Sequence, residues 1–243
     1  MPQRTTVERA VHAALEREIG ASLHRFPIRI EFNPALRSLV LEGEVADVAA
    51  KKRAYRLASQ VEGVAGVIDR LRVVPSERRG DGAIRTSLLD ALMQEPTLCE
   101  CALRVRENGA LRTVRDGGDP GAGHIDIVVR DGVVELFGRT LSLSHKRLID
   151  ALAWWVPGVC DVVNEVEVVP PEADNEGEIA DAVRIVLEKD PLVHAEQIGV
   201  RVRNHTVTLT GAAGTEQERH MAELDAWYLT GVDDVVNEIV VRG

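Results

Sequence analysis

The sequence predicts an α+β protein: three tandem helix-strand-strand-helix-strand units, each a small three-stranded mixed sheet with two helices on one face. Three observations carry that prediction. A hydrophobic strand ends in Leu-X-Gly three times, at Leu41-Glu42-Gly43, Leu136-Phe137-Gly138 and Leu209-Thr210-Gly211. Each time, 20 residues after that glycine, a Gly-Val step opens a valine-rich strand: Gly63-Val64, Gly158-Val159 and Gly231-Val232. Asp69, Asn164 and Asn237 then stand in register, each 6 residues past the second glycine. A fixed spacing of this kind marks one supersecondary unit used repeatedly.

The first copy spans 1–75. Val7, Val11, Ala14 and Ile19 recur at helical spacing. Ile28, Ile30 and Phe32 alternate as a strand, Asn33-Pro34 turns the chain, and Leu39 and Leu41 form the next strand. Ala50, Ala54, Leu57 and Val61 line the second helix, and Val67 to Val74 closes the unit. The polar segment from Ser76 to Gly82 is a linker.

The second copy spans 83–170. Ile84, Leu88 and Leu92 line its first helix, which Glu95-Pro96 ends. Ile125, Ile127 and Val129 form a strand, and Asp131-Gly132 is a strong hairpin signal. Leu148, Leu152 and Trp155 line the second helix, and Val162 to Val169 is the last strand. From Pro96 to Gly138 is 42 residues, against 20 from Pro191 to Gly211, so this copy holds an insertion of 22 residues at about 97–123. Ala102 to Arg115 reads as an extra hairpin turning at Asn108-Gly109, and Asp116 to Gly123 as a glycine-rich loop. A second linker runs from Pro170 to Glu176.

The third copy, 177–243, is the cleanest. Ile179, Val183, Val186 and Leu187 make the first helical stripe, ended by Asp190-Pro191. Ile198, Val200 and Val202, then Val207 and Leu209, make two strands around an Asn204-His205 turn. Met221, Leu224 and Tyr228 mark the second helix, and Asp234 to Val241 the last strand. In each unit the second strand, helix and third strand make a right-handed crossover, with two strands parallel. Both helices are expected to cover one sheet face and leave the other open, and the sheet edges invite pairing with another unit.

Composition narrows the function classes. Hydrophobic residues are 45% and aromatic residues only 3%, so Val, Leu, Ile and Ala must fill the cores. No window approaches the ~20 apolar residues of a spanning helix. The N-terminal stretch lacks an apolar signal core, which points to the cytoplasm, or to the periplasm if a leader had been removed. Three cysteines, two of them in Cys99-Glu100-Cys101, do not form a disulfide framework and fit a reducing compartment. The net charge of −10 is a gradient: residues 1–80 hold 14 basic and 10 acidic side chains, residues 81–170 hold 9 and 14, and residues 171–243 hold 6 and 15. Opposite ends of the chain are thereby suited to different partners, or to each other.

Chemistry is sparse. No nucleophile elbow, phosphate-cradling glycine loop, dinucleotide fingerprint or His-Glu-x-x-His is present. The seven histidines are scattered without ligand spacing. Cys99, Cys101, His124 and Cys160 do not make a convincing closed metal site, and Asp116, Asp119 and Asp126 lack the terminal bidentate acid of a calcium loop. The expectation is a protein that is not an enzyme and has no cofactor or metal.

Two features suit contacts. Lys51-Lys52-Arg53 and Arg56 form a basic run on the second helix of the first copy, either a wet helix face or a phosphate contact. Trp154-Trp155 and Trp227-Tyr228 occupy equivalent helix C-termini. Neighbouring helical residues point ~100° apart, so one ring of each pair is left near the surface, as a contact or as a cap on the core. Lys51, Lys52, Arg53, Arg56, Trp154 and Trp227 are therefore the candidate lipid or partner contacts.

The segments Asp131-Gly132-Val133-Val134-Glu135-Leu136-Phe137-Gly138 and His205-Thr206-Val207-Thr208-Leu209-Thr210-Gly211, with Val156-Pro157-Gly158-Val159-Cys160-Asp161-Val162-Val163-Asn164 and Thr230-Gly231-Val232-Asp233-Asp234-Val235-Val236-Asn237, resemble the BON domain, a bacterial module named for osmotic-stress and nodulation proteins. The first copy departs from the pattern, with Asp69 in place of the asparagine and Ser38-Leu39-Val40-Leu41-Glu42-Gly43 in place of the usual glycine-led strand. The resemblance implies a non-catalytic module associated with phospholipid surfaces and the envelope, with a stress role and frequent tandem use. The element order also looks like the ring-building domains of secretion machines. The expected function is a binding and assembly protein that touches an anionic phospholipid surface and self-associates as a homo-oligomer, with nucleic acid unlikely as a partner. The alternative is a purely structural ring or filament without lipid.

Overall fold

The computed structural model describes residues 4–107, 109–118 and 120–242. They form two compact units, Met1–Val74 and Pro75–Gly243.

The first unit runs α1 (Arg4–Arg25), β1 (Arg29–Asn33), β2 (Ser38–Val45), α2 (Val48–Ser59) and β3 (Gly66–Val73). β2 is central, antiparallel to β1 and parallel to β3, so β3 is an edge. Val7, Val11, Leu15 and Ile19 of α1 pack with Leu39, Leu41, Ala54 and Leu71 in its core.

The second unit holds the other two copies. The middle copy is α3 (Asp81–Gln94), β4 (Ala102–Glu107), β5 (Ala110–Arg115), β6 (His124–Arg130), β7 (Val133–Thr140), α4 (Leu143–Trp154) and β8 (Asp161–Val168). The last copy is α5 (Glu176–Lys189), β9 (Ile198–Arg203), β10 (Thr206–Ala213), α6 (Glu216–Tyr228) and β11 (Asp234–Val241). The mixed α+β architecture is as expected, with one correction. The middle sheet has five strands, in the order β5-β4-β6-β7-β8, not three. The inserted hairpin β4–β5 lies along β6, whose counterparts β1 and β9 are edges; β4 satisfies backbone groups that an edge leaves open. Gly109 of the expected hairpin turn has φ +81, while Asn108 lies outside the described residues.

The spacing of the glycines has a steric cause. Gly43, Gly138 and Gly211 have φ of +144, +118 and +111. A Cβ there would sit 2.8, 2.1 and 2.0 Å from the carbonyl oxygens of Pro27, His124 and Gln197. Only glycine lets the central strand bend that close to its antiparallel neighbour. The hairpin turns Asp131-Gly132 and Asn204-His205 are left-handed at both residues, the geometry of a tight hairpin.

In the second unit the helix layers of the two copies pack together, α4 against α5 and α6. Each sheet is thus covered on its helix side.

Candidate interaction surfaces and the seam between the second and third copies

The register residue after the second glycine ties the last strand to the helix before it. Asn164 donates through Nδ2 to the Lys146 carbonyl at 3.1 Å and accepts from the Val166 N–H at 3.1 Å. Asn237 repeats this with the Arg219 carbonyl at 2.9 Å and the Ile239 N–H at 3.2 Å. Asp69 in the first copy accepts from the Leu71 N–H at 2.8 Å but has no N–H of its own to offer the helix. Lys51 supplies the missing donor. Its ammonium folds inward to the Asp69 carboxylate at 3.1 Å and to the Leu71 carbonyl. The departure at Asp69 and the first lysine of the basic run are one compensated change.

The candidate contacts therefore separate. Lys51 is only 9% exposed and ties α2 to β3. Lys52, Arg53 and Arg56 are half-buried on α2. Trp227 is wholly buried, at 0% exposure, so it is a core residue as the chain is folded and not an exposed aromatic. Trp154 is half-buried and stacks on Tyr228, with ring centroids 5.8 Å apart and planes 13° from parallel. The stack joins the second copy to the third, which is why a ring on the outer side of a helix is not left in water.

Around that stack runs a seam of buried polar groups, all crossing between the two copies or their linker. The Arg147 side chain is 1% exposed; it donates to the Asp174 carboxylate at 2.6 Å and to the Thr230 carbonyl at 2.8 Å. Asp150, also buried, accepts from the Thr230 hydroxyl at 2.5 Å and N–H at 3.2 Å, and from Asn164 at 2.8 Å. Trp155 donates its indole N–H to the Asp225 carboxyl at 2.8 Å. Lys189 reaches Glu95 at 2.8 Å; burial pushes the Glu95 carboxyl up, but Lys189 and Thr97 together hold it below its ordinary range. Asp225 goes the other way. Burial, with the Asp190 carboxyl hydrogen-bonded beside it, raises it to about 8 against the pull of Trp155. It therefore carries a proton in the folded chain at neutral pH, which makes its burial tolerable.

Composition and spacing did not reveal Arg147, Asp150 or Asp225, because a charged residue on a helix normally marks its wet side. A signal was present in Leu148-Ile149-Asp150-Ala151-Leu152-Ala153. A helix that is apolar all round is buried on two sides, so the acid within it must be too.

Among the described residues no group of three or more His, Cys, Asp or Glu is placed to hold a metal ion. Cys101 and Cys160 are buried and Cys99 is exposed, all three as free thiols. Burial pushes the Cys101 thiol up, away from the reactive thiolate. Asp119 of the aspartate-bearing loop lies outside the described residues. Among the described residues no helix is long and apolar enough to cross a membrane.

The outward surface is carried by the edge strands. β3, β8 and β11 each end their sheet on one side. On each, an apolar residue faces out at the same repeat position: Ile68 at 46% exposure, Val163 at 38% and Val236 at 42%. Beyond it, β3 places Arg70 and Arg72 outward, β8 places Glu165 and Glu167, and β11 places Glu238 and Val240. The β2 partners of Arg70 and Arg72 are Glu42 and Glu44, so the basic character belongs to the edge strand alone.

Among curated proteins none matches the chain. Two solved structures are similar, both of CdsD, a structural protein of the type III secretion system of Chlamydia trachomatis. One, its C-terminal domain, is 15% identical, with 95% of this chain and 96% of that one covered and a TM-score of 0.25. The other is 15% identical, with 96% and 91% covered and a TM-score of 0.25. The BON domain model matches residues 3–75, 111–170 and 175–243, the middle match starting inside the insertion. With most of its length accounted for in three such matches, this chain belongs to the BON domain family as three tandem copies.

Proposed function

We propose that the chain is a non-catalytic binding and assembly protein that associates with further copies of itself through its sheet edges. The edge strands are the observation that supports this. A basic strand with an outward Ile68 on the first unit is the complement of the acidic strands with outward Val163 and Val236 on the second. Such an edge offers unpaired backbone groups, and the charges select β3 of one copy against β8 or β11 of another. A head-to-tail contact of this type extends into a ring or a filament.

Sedimentation velocity over a range of concentrations tests the proposal. The expected result is a mass that rises with concentration and falls as salt is added. Arg70→Glu with Arg72→Glu weakens association by about tenfold or more, since like charges then face each other. A monomer at every concentration and at low salt would sink the idea.

A second reading, contact with an anionic phospholipid surface, rests on Lys52, Arg53 and Arg56, which α2 carries side by side without needing them for the Asp69 tie. Co-sedimentation with anionic vesicles is expected to fall when the three are changed together to Gln. Equal binding by the triple variant would remove the lipid contact and leave self-association standing.

A further inference from the structure

The inserted hairpin does more than widen a sheet. β4 pairs in parallel with β6 from Ala102↔His124 to Val105↔Ile127, and there the ladder stops. Both strands continue, β4 to Glu107 and β6 to Arg130, so they part as a fork. A cavity of about 390 Å³ lies in the fork, floored by Val128 and Val129 and closed on the helix side by α3. Past Ile127, β6 has no β4 partner, which leaves backbone groups facing the fork.

Three arginines reach the cavity from three elements: Arg85 of α3, Arg106 of β4 and Arg130 of β6. Its two carboxylates are already engaged. Glu107 is held by Arg85 at 2.7 Å and Arg112 at 3.5 Å, and Asp81 accepts the N–H groups of Asp131 and Gly132, each at 3.0 Å. Among the described residues Arg106 and Arg130 have no carboxylate within ion-pair distance, and both are exposed at the cavity's mouth. Two guanidinium forks without counter-charges, converging on one concavity, suit a dianion with several acceptor oxygens. The cavity also leaves room for a substituent beyond the phosphate, against the apolar floor.

We propose that the fork between β4 and β6 binds a phosphate monoester, with Arg106 and Arg130 clamping the phosphate. The site exists only because of the insertion, so the first and third copies lack it, and it is independent of the edge-strand association.

The experiment uses the full chain and its Arg106→Gln/Arg130→Gln variant, with Arg203→Gln on β9 as an exposed control. Circular dichroism melting establishes that all three are folded. Binding is measured with inorganic phosphate and glycerol 3-phosphate by calorimetry, and with phosphatidic acid and phosphatidylcholine vesicles by co-sedimentation. The expected result is phosphate-dependent binding that the double variant weakens by about tenfold or more and the control leaves unchanged. Binding of the soluble phosphates identifies a soluble ligand; binding of phosphatidic acid vesicles alone identifies a lipid headgroup. No binding in any arm, or binding equal in the double variant, overturns the proposal.

Discussion

Arg147→Ala lowers the unfolding free energy of the second unit by about 3–5 kcal/mol, the cost of removing one partner from a buried ion pair. The truncation leaves the Thr230 carbonyl without its donor and Asp174 without its cation, and it opens a void where a whole guanidinium was enclosed. Arg147→Met restores volume but not the bonds, and recovers only part of the loss. Because the residue belongs to the second copy and its partners to the third copy and the linker, the expected signature is a loss of cooperativity. Urea unfolding followed by tryptophan fluorescence, which reports the stacked Trp154, and by far-ultraviolet circular dichroism would cease to coincide. Coincident, unshifted transitions in Arg147→Ala would show that the seam does not couple the two copies.

Asp225→Asn stabilises the protein at neutral pH by about 1–3 kcal/mol, and the gain grows with pH. The folded chain keeps on Asp225 a proton that the unfolded chain releases above its ordinary value of 3.8, until the pH passes about 8. The folded state binds more protons across that window. The contribution of Asp225 is therefore fully present below the unfolded value and is lost as pH rises toward the folded one. Asparagine mimics the protonated acid. Its oxygen still accepts from Trp155, and its amide N–H is suited to the Asp190 carboxyl. The measurement is the difference in melting temperature between wild type and Asp225→Asn at about pH 5, about pH 7 and about pH 9. The gap should widen between the first two and level off near the last; parallel profiles would show that Asp225 is not buried in its neutral form.

Most of the architecture was legible because its causes are local. The Leu-X-Gly spacing records a close backbone approach, the Asn204-His205 and Asp131-Gly132 pairs record left-handed turns, and alternation records which strand face is covered. The fifth and fourth strands of the middle sheet were legible as a hairpin but not as neighbours of β6. Pairing between distant segments has no signature in either one alone. The contact residues were the least legible. A lysine at position 51 looks like part of a basic face until Asp69 is placed beside it, and a tryptophan at position 227 looks like a surface ring until the third copy packs against the second. Both errors come from treating each copy as if water surrounded it.

The helix-to-helix seam has a further consequence for any partner that recognises the outer strands. By joining two copies through their covered sides, it makes β8 and β11 two sites on one rigid body rather than two tethered modules. A surface or polymer that engages one of them meets the other at a fixed distance, without the entropy loss that a flexible tether imposes. Two individually weak contacts then combine into strong attachment, and only to partners whose own sites are spaced to match.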